Sequence, residues 1–220
     1  MSEVICTVDV VLLTIEQEQL MVALNLREHA PYEAQLALPG GYVHADDASV
    51  FDAAMRVMRN KTGFTPPYLE QLSTFSGPER DPRGWSLSVA HYALVPFEMV
   101  ARVASRSLSL HPVDALPALP FDHAHIVSAA VARLRSKSHY SSLPCFLIGD
   151  AFTLPQLQRM YEVLMGEALN KVSFRRKISE MDMLDAVDGA FDTAGAHRPA
   201  QLYRLKDAYR QRLMTLERGL

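Results

Sequence analysis

Lys171, Arg175, Arg176 and Lys177 fall within seven residues, with no acid among them. On a helix such a group supplies the positive charge that phosphate contacts need, and a helix fits a major groove. Ser173 lies on the same stretch, and Arg198 follows near Pro199. An arginine there could reach a minor groove or its phosphates. A second group is Arg80 and Arg83, which flank Asp81-Pro82 just before Trp85. Planar guanidinium forks grip a diphosphate well. Arg27, Gly40 and Gly41 complete this candidate anion site. The simpler alternatives are solvated turns, an edge charge and a solvated helix face. Asp122, His123 and His125 read as a helix cap with surface imidazoles. No Cys/His spacing suits zinc. Cys6 and Cys145 are far apart and read as reduced thiols. Tyr140, Ser141 and Ser142 show no nucleophile setting. No catalytic residue, metal ligand or cofactor is expected.

These residues need elements to hold them. The chain has 220 residues, 49% apolar and 21% charged, which excludes disordered and fibrous classes. It is long enough for one large domain or two smaller ones. No apolar run reaches about 18 residues, so no membrane span is expected. The first residues lack an export signal, which implies a cytoplasmic protein. Val4, Cys6, Val8, Val10 and Leu12 alternate like a strand, Glu16 to Gln19 suits a turn, and Leu20 to Leu26 suits a second strand. Pro39-Gly40-Gly41 reads as a break. Phe51, Ala54, Met55 and Met58 have the spacing of one helical face, which Gly63 closes. Trp85 to Val95 reads as a strand. Asp122 would cap a helix burying Ile126, Ala130 and Leu134. Residues 141–150 read as a linker or a short docking segment.

From residue 151 the pattern changes. Thr153 and Gln156 form a candidate capping box, and Leu157, Met160, Tyr161 and Leu164 form a helical face ending at Gly166. A second helix from Asn170 would turn Phe174, Ile178 and Met181 inward. Turn-rich residues and a strand from Pro199 to Leu205 follow. Helix, basic helix and hairpin is the order of a winged helix-turn-helix. The net charge of −3 divides unevenly: residues 1–150 carry −5 and residues 151–220 carry +2. That excludes indiscriminate nucleic-acid coating and leaves room for one basic patch.

The segment from Gly40 to Gly63 resembles the Nudix box. In that superfamily helix glutamates hold Mg²⁺ at a diphosphate, which water attacks. Arg56, Met58 and Gly63 keep the frame, but the three glutamate positions hold Val57, Asn60 and Lys61. Only Asp46, Asp47 and Asp52 remain nearby, too little charge to dehydrate Mg²⁺. The whole chain from Val4 to Lys206 resembles the NrtR family of Nudix-related transcriptional regulators. The motifs carrying this include Leu38-Pro39-Gly40-Gly41, Lys61-Thr62-Gly63, Arg80-Asp81-Pro82-Arg83-Gly84-Trp85, Ser173-Phe174-Arg175-Arg176-Lys177 and Arg198-Pro199-Ala200-Gln201-Leu202-Tyr203. His197 stands where relatives have glycine.

The resemblance implies an α+β chain: a Nudix-type mixed sheet with helices over 1–148, then a winged helix-turn-helix over 149–220. It implies a homodimeric repressor of NAD biosynthesis and salvage genes, bound to a palindromic double-stranded DNA operator and released by ADP-ribose or a related metabolite. Arg27, Gly40, Gly41, Arg80 and Arg83 would meet the effector. Lys171, Ser173, Arg175, Arg176, Lys177 and Arg198 would meet DNA. The rival readings are an ADP-ribose pyrophosphatase with a DNA-binding tail, and a protein-interaction adaptor. Residues 207–220 would form a short amphipathic helix beyond the resemblance.

Overall fold

The computed structural model describes residues 4–103, 108–193 and 199–211. Arg198, His197 and most of the segment after 207 lie outside them. Two compact units emerge. One runs to Glu16 and from Leu20 to Arg133; the other takes Gln17–Gln19 and the chain from Leu134 onward.

The first unit is built on a mixed sheet. β1 (Ile5–Glu16) and β2 (Gln19–Leu26) are central, and β1 is buried from Val8 to Ile15. A strand covered on both faces has no exposed side for polar residues, so its apolar run is nearly continuous. β3 (Leu36–Ala37), β4 (Gly40–Tyr42), β5 (Tyr68–Gly77), β6 (Ser86–Leu94) and β7 (Leu108–Pro112) complete the seven described strands. The path is β3-β2-β1-β6-β5, with β4 on β1 and β7 on β2. β6 runs parallel to β1 and antiparallel to β5. The expected break at Pro39-Gly40-Gly41 is thus a short strand: Asp9 pairs with Gly40 and Thr7 with Tyr42.

α1 (Val50–Thr62) starts at Ser49, which accepts from Asp52 N, and ends at Gly63 with φ 75°. Its buried face is Ala53, Ala54, Val57 and Met58, packed with Val8, Val10 and Leu12 of β1. The expected face is rotated: Phe51 is exposed, and Val57 takes the inward place. The short α2 (Phe97–Ala101) adds Val100 to the same core. α3 (His123–Ser138) buries Ile126, Ala130 and Leu134 as expected.

The division of the chain falls inside α3, earlier than the expected 148/149 boundary. Residues 141–150, read as a linker or a short docking segment, take the second course. Leu143–Leu147 is a 3-10 turn whose five residues are all buried, so it belongs to a core.

The second unit has α4 (Leu154–Met165), α5 (Lys171–Met181), a β8 (Leu184–Asp192) and β9 (Ala200–Leu205) hairpin, and a short α6 (Asp207–Gln211). The Thr153–Gln156 capping box is fully formed, and Gly166 closes α4. Tyr161 of α4 meets Phe174 of α5 edge-on at 5.5 Å and donates to Ser141 O at 2.9 Å. Asp188-Gly189 lies within β8 instead of a turn. There the register slips between Ala186 and Phe191. Gln201 Nε2 donates to Val187 O at 2.8 Å and Ala190 O at 3.2 Å, satisfying carbonyls that the slip leaves unpaired. Two helices and a hairpin make this unit a winged helix-turn-helix. No helix among the described residues is long and apolar enough to cross a membrane.

Candidate functional site

β1, β2, β4, the end of α1 and the Arg80–Arg83 turn enclose a cavity of about 220 Å³ in the first unit. All five residues expected at an anion site, Arg27, Gly40, Gly41, Arg80 and Arg83, line it. Their side chains are more committed than the sequence suggested. Arg80 donates from Nε (3.0 Å) and Nη2 (2.8 Å) to the Asp122 carboxylate. Arg83 donates from Nε (3.0 Å) and Nη2 (2.6 Å) to Asp81, and from Nη1 to the Tyr42 hydroxyl. Burial alone would raise the Asp81 carboxyl, but these bonds hold it below the usual range. Arg27 donates to Pro31 O at 2.9 Å and stacks 4.9 Å above Phe121. Burial and the neighbouring Arg83 charge lower its pKa. The cavity is therefore a set of oriented cations held by carboxylates, backbone carbonyls and an aromatic ring, a preorganised arrangement for a polyanion.

Beneath it lies a buried relay. Asp9 Oδ2 is 3.6 Å from Arg80 Nη2, and Asp9 Oδ1 is 3.5 Å from His123 Nε2. His123 Nδ1 accepts from Leu38 N at 3.1 Å. This corrects two expectations. His123 is buried, 3% exposed, where a surface imidazole was read; Asp122 bonds Arg80 with the carboxylate expected to cap α3. A β-carbon on Gly40 would lie 2.2 Å from Asp9 Oδ1 and 3.0 Å from Val8 O, so any other residue there would displace the Asp9 carboxylate. Asp9, Tyr42, Lys61 and His123 are lining residues that sequence reasoning missed. Asp9 left one signal: a carboxylate inside the apolar run from Val8 to Leu13.

The residues at the Nudix positions do not fit a divalent cation. Val57 is buried, and its Cγ2 lies 3.2 Å from where a β-carbon on Gly41 would be. Asp47 accepts from Arg56 Nε at 2.8 Å and Nη2 at 2.7 Å, and Asp52 accepts from Ser49 Oγ at 2.7 Å. Arg56 holds the Asp47 carboxyl well below the usual range. No group of three His, Cys, Asp or Glu side chains among the described residues could hold a metal.

In the second unit, the Asn170 side chain caps α5 by accepting from Val172 N and Ser173 N. Phe174 and Ile178 are buried, so Lys171, Ser173, Arg175 and Arg176 are exposed and Lys177 is half-buried. Arg176 is 3.7 Å from Glu180, an exposed pair of little strength. α5 thus presents four of the expected cations; Arg198 lies outside the described residues.

Residues 144–205 match the family model described as the NrtR DNA-binding winged helix domain. Over 203 residues the chain is 37% identical to the ADPR responsive transcriptional repressor NtrR of Acinetobacter baylyi, spanning 90% of this chain and 80% of that protein. It is 35% identical to Shewanella oneidensis NrtR crystallised with a 27mer DNA, with a TM-score of 0.90 over 98% of this chain and 99% of that one. It also matches the NUDIX domain of Shewanella oneidensis NrtR cocrystallised with ADP ribose. There the identity is 34% and the TM-score 0.54, over 61% of this chain and 90% of that one.

Proposed function

Because the chain belongs to the NrtR family, we propose that it represses transcription by holding DNA through α5 and its hairpin, and that ADP-ribose in the cavity releases it. It is a ligand-responsive DNA-binding regulator. In this reading Arg27, Arg80 and Arg83 meet the effector's diphosphate, with Gly40 and Gly41 allowing close approach. Lys171, Ser173, Arg175, Arg176, Lys177 and Arg198 meet the operator. The protein acts as a cytoplasmic homodimer on palindromic operators of NAD biosynthesis and salvage genes, its two basic helices about 34–36 Å apart to match successive major grooves.

One observation carries this reading: a chain with an exposed basic recognition helix also holds a cation-lined cavity beside α1, whose three Nudix glutamate positions are Val57, Asn60 and Lys61, the last of them lining the cavity. Without those carboxylates the cavity binds its ligand and does not hydrolyse it. An effector weakens DNA binding only if it favours the off-DNA state. A tenfold weakening needs about 1.4 kcal/mol of coupling.

The test is a gel shift on promoters of NAD genes, titrated with ADP-ribose and NAD. A shift reversed by ADP-ribose is expected. No shift even at low salt, where phosphate contacts are strongest, would defeat the claim. Robust release of AMP from ADP-ribose with Mg²⁺ would return the hydrolase reading.

A further inference from the structure

Four cationic side chains line the cavity, and three are engaged by neighbours within 3 Å. Arg80 is chelated by Asp122, Arg83 by Asp81, and Arg27 donates to the Pro31 carbonyl. Lys61 is the exception. Its Nζ is 3.9 Å from Glu28 Oε2, and the Glu28 side chain is 70% exposed. Such a pair is weak and readily exchanged. Lys61 itself is 35% exposed and reaches the cavity from the last turn of α1. It occupies one of the positions at which a Nudix hydrolase carries a metal-binding glutamate.

A diphosphate entering this cavity brings negative charge that must be matched there. Three carboxylates line the wall, Asp9, Glu28 and Asp81, and with Asp122 on Arg80 they already offset much of the cationic charge. The site does not fit a divalent cation, so the missing positive charge has to come from a side chain. An ammonium is a compact point charge with three donors, well suited to phosphate oxygens.

We infer that Lys61 Nζ contacts the phosphate oxygens of a diphosphate ester in this cavity and stands in for the divalent cation, so that binding needs no metal. An ammonium neutralises phosphate without activating water. The same replacement that keeps affinity therefore removes hydrolysis. The inference rests on the cavity being the effector site.

Calorimetric titration of the full chain with ADP-ribose, in excess EDTA and in millimolar MgCl₂, tests it. The wild-type Kd should agree within about twofold between the two buffers. Lys61→Gln should raise Kd about tenfold in EDTA, and Lys61→Arg should retain most of the affinity. Lys61→Glu should lose binding in EDTA and regain part of it with Mg²⁺. Thermal melts confirm that each variant is folded. Lys61→Gln binding as tightly as wild type, or wild type requiring Mg²⁺, overturns the inference and leaves the effector reading standing. Inorganic pyrophosphate is the second probe. If it binds in a Lys61-dependent way while ADP-ribose does not, the effector's identity is wrong and the inference stands. If wild type binds neither, both are overturned.

Discussion

The Leu38 N–H donates to His123 Nδ1, and that bond fixes where the imidazole proton sits. With Nδ1 accepting, the neutral ring carries its proton on Nε2, facing Asp9 Oδ1 at 3.5 Å. Protonation would cost the Leu38 bond and place a charge in a buried site. Burial lowers the His123 pKa from 6.5 despite the Asp9 charge, and burial lowers that of His91 in the same direction. Below about pH 6.5 the unfolded chain takes up protons that the folded chain refuses, so stability is lost as pH falls. His123→Gln keeps an acceptor for Leu38 and a donor for Asp9 and cannot titrate. Thermal or urea unfolding between about pH 7.5 and pH 5.5 should show the variant losing less stability than wild type. His91 preserves a residual slope. An unchanged pH profile would mean that His123 takes up its proton as readily in the folded chain as in the unfolded one. None of this was legible in Phe121-Asp122-His123, because the partner of His123 is 85 residues away and a local reading offers only a cap.

Elements whose ends are set by local chemistry were readable; those set by distant pairing were not. α4 begins and ends where Thr153 and Gly166 indicate, and α5 begins where Asn170 indicates, because a cap is satisfied within three or four residues. β4 was missed because Pro39-Gly40-Gly41 looks like a break, and only β1 makes it a strand. β5 shows just Leu72 fully buried, so it carries little alternation to detect. In α1 the replaced glutamate position turned inward, so the true core face includes Val57. The five candidate anion residues line one cavity, and they could be named because arginine chemistry is visible without tertiary detail. What was invisible is that Asp122 and Asp81 already hold two of them. α5 allows a test at this scale. Its buried face rests on Phe174 and Ile178, so Arg175→Ala and Arg176→Ala change charge and leave the packing alone. Fluorescence anisotropy on operator DNA from low to physiological salt should show a steep loss of affinity. Each phosphate contact removed should shrink the log–log slope by about 0.9. A slope unchanged in the double variant would remove α5 from the interface.

At the scale of the whole molecule, the net charge of −3 conceals a first part at −5 and a tail at +2. An acidic body repels DNA in general and confines binding to the patch that overcomes it, which favours specific over non-specific contacts. The cavity and α5 belong to different compact units, so any influence of one on the other is a coupling free energy between two sites. Such coupling is reciprocal by thermodynamic necessity. If saturating ADP-ribose weakens operator binding to the dimer by some factor, saturating operator must weaken ADP-ribose binding by the same total factor, taken as the product over the dimer's two cavities. With typical coupling of about 1–3 kcal/mol the factor lies between about 5 and 150. Both arms are measurable: anisotropy of labelled operator with and without ADP-ribose, and calorimetry of ADP-ribose with and without unlabelled operator. Equal factors are expected. Arg175→Ala with Arg176→Ala should lower operator affinity in both states and leave the factor intact, because those side chains bind DNA without sensing the effector. A factor of one in both arms would show that ADP-ribose does not distinguish the DNA-bound from the free protein, and release by a shifted equilibrium would then fail as the mechanism.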